Sequence, residues 1–402
     1  MGAERRMASS IQSEDMGRLI RLLKGSPIFN LSLSSKELFH SNLLAWLCDT
    51  YPAYAGNLFA EFLKRRLVGI GSVKTLREWN NLDLVVEFED GQSLVIENKV
   101  KSLPYERQLE EYAEAMKGRP YVSFLLLSLS KPYFLDENGS TITLRNGPAW
   151  HYLSYAGLAG RLQKIQPAVA ILNEYHGQLL ADYIGFIRNL DDLNRLFEMR
   201  PDDELSDFFG GGEGRTELRG IRLHDMVDKL RYGQLAEAVA ERLEKHGVEV
   251  IRDGWEKGRP GQVFIESGMT RGMGLFDLKY VIREAGGLGS ACILGLQLQS
   301  NDFKVYFQLN DKRLAWIMAT ALLDDKEGSR LWFDLSLSVF YSAEYPKGKI
   351  FGQYGGTFLY RYKKLGRISP KSLVDLVIKY VDIIEQNRMV ILEKIETQIQ
   401  PG

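Results

Sequence analysis

The stretch Leu82–Lys99, LDLVVEFEDGQSLVIENK, constrains the fold of this chain more than any other. Two apolar runs flank the sequence Glu89-Asp90-Gly91, so the segment reads as a β-hairpin. Asp83, Glu97 and Lys99 are charged, and they stand at the strand ends far from the turn. The turn decides which side chains share a face. A two-residue loop, Asp90-Gly91, pairs Glu89 with Gln92 and sets Asp83 opposite Asn98, with Glu97 and Lys99 pointing the other way. A three-residue loop with Gly91 in the left-handed conformation pairs Phe88 with Gln92. Asp83 then faces Glu97, and Lys99 lies on the same side. The three-residue register also collects Leu82, Leu84, Val86 and Phe88 with Leu94 and Ile96 on one face and pairs Val85 with Val95 on the other. It is therefore the register expected.

Around the hairpin, SSKELFHSNLLAWLC (34–48) has the apolar spacing of a helix, and AGNLFAEFLKRRL (55–67) reads as a helix ending in basic residues. VKTLREW (73–79) is a further strand, PYERQLEEYAEAMK begins a helix near Pro104, and YVSFLLLSL (121–129) is a fourth strand. The order helix, three strands, helix, strand predicts an α/β (α+β) core: an antiparallel meander and a helical crossover delivering a fourth strand to a mixed central sheet. A short helix is expected over Glu14–Leu23. Residues Leu153–Met199 read as mostly helical, interrupted at Pro167. The acidic, triple-glycine segment from Arg200 to Gly220 is the best linker, dividing the chain into domains 1–200 and 201–402. The second reads as α+β: a helix over Val227–His246, strands from Val250 to Tyr362, and a long closing helix.

The 402 residues suffice for two domains. A formal net charge of −1 gives no general electrostatic case for nucleic acid or membrane, although a local basic groove is compatible with it. Cys48 and Cys292 make neither a disulfide framework nor a zinc site alone, so a reducing cytoplasm is the expected compartment. The N-terminus lacks the apolar core of a signal peptide, and no apolar run approaches the roughly 20 residues of a membrane span.

Taken alone, an Asp followed by Glu-x-Lys is most simply a surface ion-pair cluster. Here both strands are apolar up to their charged ends, and a helix and another apolar strand follow, which favours a central hairpin. Carboxylates facing one another in such a place need a partner. A divalent cation supplies one, and magnesium suits two carboxylates with a backbone carbonyl. Lys99 beside it could orient or deprotonate a water and offset charge on a phosphate.

These residues resemble the PD-(D/E)XK nuclease superfamily, in particular one of its uncharacterised bacterial branches. The resemblance rests on Asp83, on Glu97-Asn98-Lys99 and on the order of elements around them. Gln108 and Tyr112, four apart on one helix face, match the Q-x-x-x-Y of an exonuclease branch. ELFHSNLLAWLCD resembles the bacterial branch's first core helix, with Glu37 as its acidic residue ahead of His40-Ser41. The likeness covers Ser34–Leu129, with fainter texture in WHYLSY, and Leu82 stands where the family name has proline. It implies a nuclease that uses Mg2+ (or Mn2+) on nucleic acid, with DNA favoured. Asp83, Glu97 and the carbonyl of Asn98 would hold the metal, while Lys99 would position the attacking water and stabilise the pentacovalent phosphate. Gln108 and Tyr112 would hold substrate or support the strand. Glu37 would serve a second metal or its water.

Plainer roles stand beside these. Glu37 lies three residues after Ser34, the spacing of a capping box. His40 reads as a packed or surface histidine before a general base, Gln108 and Tyr112 as an alternative solvated face, and Lys101 as a phosphate contact or solvated. Two other functions remain open: a silent nuclease fold that binds nucleic acid or protein, and an effector regulated by a ligand through its C-terminal half. Self-association is equally open. In that half, Asp277 begins a hairpin that ends in Gln297-Leu298-Gln299, a loose echo of the first. A degenerate copy is one explanation, and an ordinary hairpin with polar ends is the preferred one. The aromatic runs WFDLSLSVFYSAEY and FGQYGGTFLYRYKK could stack on bases, with core and edge strands as the plainer account.

Overall fold

The computed structural model describes residues 2–399 apart from 33–35, 68–70, 101, 133, 136–138, 145, 211, 253–257, 284–290, 324–330 and 338. Ser34 and Lys101 therefore lie outside the described residues. The chain divides into two compact units: residues 1–198 with 213–230, and 199–212 with 231–402. A single cut at residue 200 does not describe this division, because 213–230 returns to the first unit.

The first unit opens with helices α1 (Gly2–Gly25), α2 (Pro27–Ser32), α3 (Lys36–Thr50) and α4 (Pro52–Phe59). Strands β1 (Val73–Trp79), β2 (Leu82–Phe88) and β3 (Ser93–Lys99) follow, then α5 (Glu106–Ala115) and β4 (Val122–Ser128). Short strands β5 (Thr141–Ile142) and β6 (Trp150–Ser154) precede α6 (Tyr155–Leu172), α7 (Glu174–Leu196) and α8 (Gly212–Gly220). The sheet order is β1-β2-β3-β4-β6-β5. β1, β2 and β3 form an antiparallel meander, and β4 lies parallel to β3 and to β6. The mixed sheet and the crossover by α5 are as expected.

Both sheet faces are buried. Leu84, Val86, Phe88, Leu94 and Ile96 join a core with Leu44, Leu47, Tyr155, Leu158 and Ile187. Val85 and Val95 face Leu109, Met116, Phe124, Leu126 and Trp150 on the opposite side. With helices over both faces, the central strands carry almost no solvated positions, which is why they read as continuous apolar runs.

Three local expectations fail for physical reasons. The helix at 55–67 ends early: α4 passes into a 3-10 turn at Ala60–Phe62 and the basic run lies beyond it. The Gln92 amide holds that run, accepting from Arg65 N at 2.8 Å and donating to Arg65 O at 3.1 Å. Pro167 sits inside α6 without breaking it. The break falls at Asn173, whose side chain caps α7 by accepting from His176 N at 3.1 Å. Leu82 joins Val85 and Val95 instead of Leu84, beside Leu76 and Trp79. Pairing of β1 with β2 skips Glu78 and Asp83, and Glu78 has φ of +49°, which turns the strand end.

The second unit contains most of α9 (His224–Lys245), strands β7 (Val250–Arg252), β8 (Val263–Thr270), β9 (Met273–Arg283), β10 (Cys292–Gln299) and β11 (Asp302–Gln308), then α10 (Lys312–Leu323), β12 (Gly352–Tyr354), β13 (Phe358–Lys364) and α11 (Pro370–Ile399). Its sheet runs β12-β13-β11-β10-β9-β8-β7. Asp277 does pair with Gln297, but the next strand, β11, returns antiparallel where the first sheet has a helical crossover. Lys304 of β11 donates to both Gln297 and Gln299. The topology shows an ordinary hairpin and not a second copy of the first sheet.

Candidate active site

The hairpin turn has three residues. Phe88 N donates to Gln92 O at 2.9 Å, Gly91 N donates to Phe88 O at 3.0 Å, and Gly91 has φ of +82°. The ladder runs Glu87–Ser93, Val86–Leu94, Val85–Val95 and Leu84–Ile96. One step further, Asp83 comes opposite Glu97, the expected register. The pairing stops there, and the Asp83 carboxylate takes over as acceptor: Asn98 N donates to its Oδ2 at 2.8 Å.

Strand alternation then sorts β3. Glu97 and Lys99 point toward the α5 side, and Asn98 points toward α3 and α6. Glu97 is 1 % exposed and its Oε1 accepts from Lys99 Nζ at 2.7 Å. Its Oε2 is buried with no hydrogen-bond partner. Burial pushes the Glu97 carboxyl up to about 8; Lys99 opposes this and the Asp83 charge adds to it. Burial likewise raises Asp83, against the Asn98 amide and Lys99. For Lys99 burial alone would favour the neutral amine, but Glu97, Glu37 and Asp83 outweigh it and hold the ammonium above its usual range.

On α5, Gln108 Nε2 donates to the Tyr112 hydroxyl at 2.6 Å. The half-buried Tyr112 is raised first by burial and next by the Glu97 charge. Glu37, in the first turn of α3, accepts from Val100 N at 3.2 Å and Ser102 Oγ at 3.1 Å, pinning the chain just past Lys99. The capping alternative involves Ser34, outside the described residues. His40 is 1 % exposed, shares a 2.9 Å hydrogen bond with Tyr183 and stacks on Phe186 at 5.5 Å, so it is a packed histidine. Burial holds it neutral, down to about 3.

One set of residues went unnoticed in the sequence. The Asn98 side chain donates to Glu37 O at 2.8 Å and Ser41 Oγ at 3.3 Å, and it accepts from the Tyr155 hydroxyl. Tyr155 closes WHYLSY, the text that already looked family-like, but its reach across the sheet had no signal.

Asp83 and Glu97 offer hard oxygen donors. A strand residue projects its N–H and C=O to the same side, so the Asn98 carbonyl lies on the Asp83 side of β3. Among the described residues no three His, Cys, Asp or Glu side chains form a metal-ligating group, so a cation here would rest on two carboxylates and backbone oxygen. The unsatisfied Glu97 Oε2 and the two facing carboxyl groups, which burial without a cation pushes toward the neutral form, fit such a cation.

Residues 27–185 match the family model of the PD-(D/E)XK nuclease superfamily. The matched segment includes the meander, the α5 crossover, Asp83, Glu97 and Lys99. Neither the curated proteins nor the solved structures include a significant match to the chain. No helix among the described residues is long and apolar enough to cross a membrane.

Proposed function

We propose that this chain, whose residues 27–185 are a PD-(D/E)XK-superfamily segment, is a divalent-cation-dependent nuclease that hydrolyses phosphodiester bonds of nucleic acid, with DNA favoured. The observation that carries this is the buried Glu97 carboxylate, with one oxygen on Lys99, the other without a partner, and Asp83 opposite. Asp83, Glu97 and the Asn98 carbonyl would hold Mg2+ or Mn2+. When bound, the cation would polarise the scissile phosphate and lower the pKa of a water.

The chain's own groups supply the rest. Lys99, kept protonated by its neighbours, orients a water by donating to it and offsets the charge that builds on the phosphoryl oxygens. Its raised pKa makes it a poor base in the cation-free state; a cation drawing off the Glu97 charge would relax that. Tyr112 and Gln108, tied together, present one donor pair beside the carboxylates for a substrate phosphate. Glu37 holds the chain after Lys99, and Asn98 fixes β3 from behind, so both position the site without touching substrate.

Incubation of plasmid, linear duplex and single-stranded DNA and RNA with Mg2+, Mn2+ or EDTA tests the proposal. Cleavage of at least one substrate that stops in EDTA is expected. Absence of cleavage of every substrate with either cation overturns it and leaves a silent nuclease fold.

A further inference from the structure

The aromatic run that the nuclease site does not use has a definite arrangement in the second unit. Between Tyr341 and Arg367 the chain carries five tyrosines and six Lys or Arg residues against a single acidic one, Glu344, in a chain whose net charge is −1. Glu344 is itself engaged by Arg361. On the sheet face away from the helices, Tyr354 and Tyr360 stack with centroids 5.3 Å apart and planes at 20°. Tyr345 and Tyr362 form a second parallel pair at 5.1 Å and 18°. Tyr360 and Tyr362, 6.2 Å apart, join the pairs into one platform.

One exposed cation stands against it: Lys347 Nζ lies 5.4 Å from the Tyr345 centroid. Lys304, buried and donating to Gln297 and Gln299, lies behind the first pair, 5.6 Å from the Tyr360 centroid and 5.9 Å from that of Tyr354. Lys347 and Lys349 are exposed, and Tyr354 is 45 % exposed. Each carboxylate on the same face has a lysine within ion-pair distance: Asp302 lies 3.6 Å from Lys364, and Glu266 and Asp277 lie at 2.6 and 3.6 Å from Lys279.

We infer that this platform binds single-stranded nucleic acid, with unpaired bases stacking on the tyrosine pairs and phosphates meeting Lys347 and Lys349. Stacking calls for a base free of its partner, which the tyrosines can reach on a strand but not inside a duplex; the exposed Lys347 and Lys349 supply the backbone contacts. The inference goes beyond the proposed nuclease and does not rest on it.

Fluorescence anisotropy of a labelled 20-nucleotide oligo-dT, oligo-U and a matching duplex, with the full chain in EDTA, reads binding without cleavage. Tighter binding of either single strand than of the duplex is expected. Tyr354→Ala should weaken it about tenfold, while Tyr354→Phe should stay within about twofold. Lys347→Ala with Lys349→Ala should lower the salt slope by roughly 1 to 1.5. Both sites are exposed, so neither change threatens folding. No binding at low salt, a preference for duplex, or binding unmoved by Tyr354→Ala overturns the inference. Binding of phosphatidylserine vesicles in place of oligonucleotide does so too. The two ideas separate cleanly: a protein that binds through Tyr354 but never cuts keeps this inference, and one that cuts with Tyr354→Ala binding unchanged loses it.

Discussion

His40 shows how a residue beside a charged site can be read from its burial. It stays neutral in the fold to about pH 3, whereas an exposed histidine protonates near 6.5. Between those values the unfolded chain takes up the proton and the folded one does not, so stability present above about pH 6.5 is lost as pH falls. His40→Asn keeps a polar partner for Tyr183 and removes the titration. Urea unfolding should show wild-type stability dropping between pH 6.5 and 4 more steeply than that of the variant; parallel curves would show that His40 is not held neutral. At the same scale, Tyr155→Phe removes one of the bonds on Asn98. It should cost about 1 kcal/mol of stability and, if Asn98 positions β3, lower kcat about tenfold with KM little changed; an unchanged kcat would leave Tyr155 a packing residue. The meeting of Asp83, Glu97 and Lys99 at the strand ends was legible in sequence because charged residues end two apolar strands. Asn98's anchoring by Tyr155 was not, since its partners lie 57 residues away in sequence.

The hairpin was the most legible element. Its register follows from turn arithmetic, because a strand repeats every two residues and one face must be buried. Gly91 makes the turn: with φ of +82° and open space where a Cβ would stand, Gly91→Ala costs backbone strain alone. A loss of roughly 1 kcal/mol in denaturant unfolding, with cleavage retained, is expected. Deleting Asp90 should instead shift the register and abolish cleavage; survival of activity would break the link between the turn and the site. Elements set by distant contacts were less legible. The basic run after α4 looks helical by composition, yet Gln92 fixes it as a loop. Leu82 obeys the period of two in sequence and departs from it where the β1–β2 pairing is interrupted.

At the scale of the whole molecule, the division into two halves was visible in the glycine-rich linker, but its true boundary was not. Leu218, Ile221, Leu223, Met226, Val227 and Leu230 belong to the first unit's core, and a linker-based cut strands them on the wrong side. A fragment of residues 1–200 should therefore be less soluble and melt lower than one of residues 1–230; equal behaviour would show that the returning segment adds nothing. The central claim is that Asp83, Glu97 and Lys99 form a working phosphodiesterase site. Its most direct test is Mg2+- or Mn2+-dependent cleavage by wild type, Asp83→Ala and Lys99→Ala, with circular dichroism confirming that each is folded. The expected result is cleavage by wild type and a loss on the order of 100-fold or more in each variant. Folded variants that cut as well as wild type would contradict it.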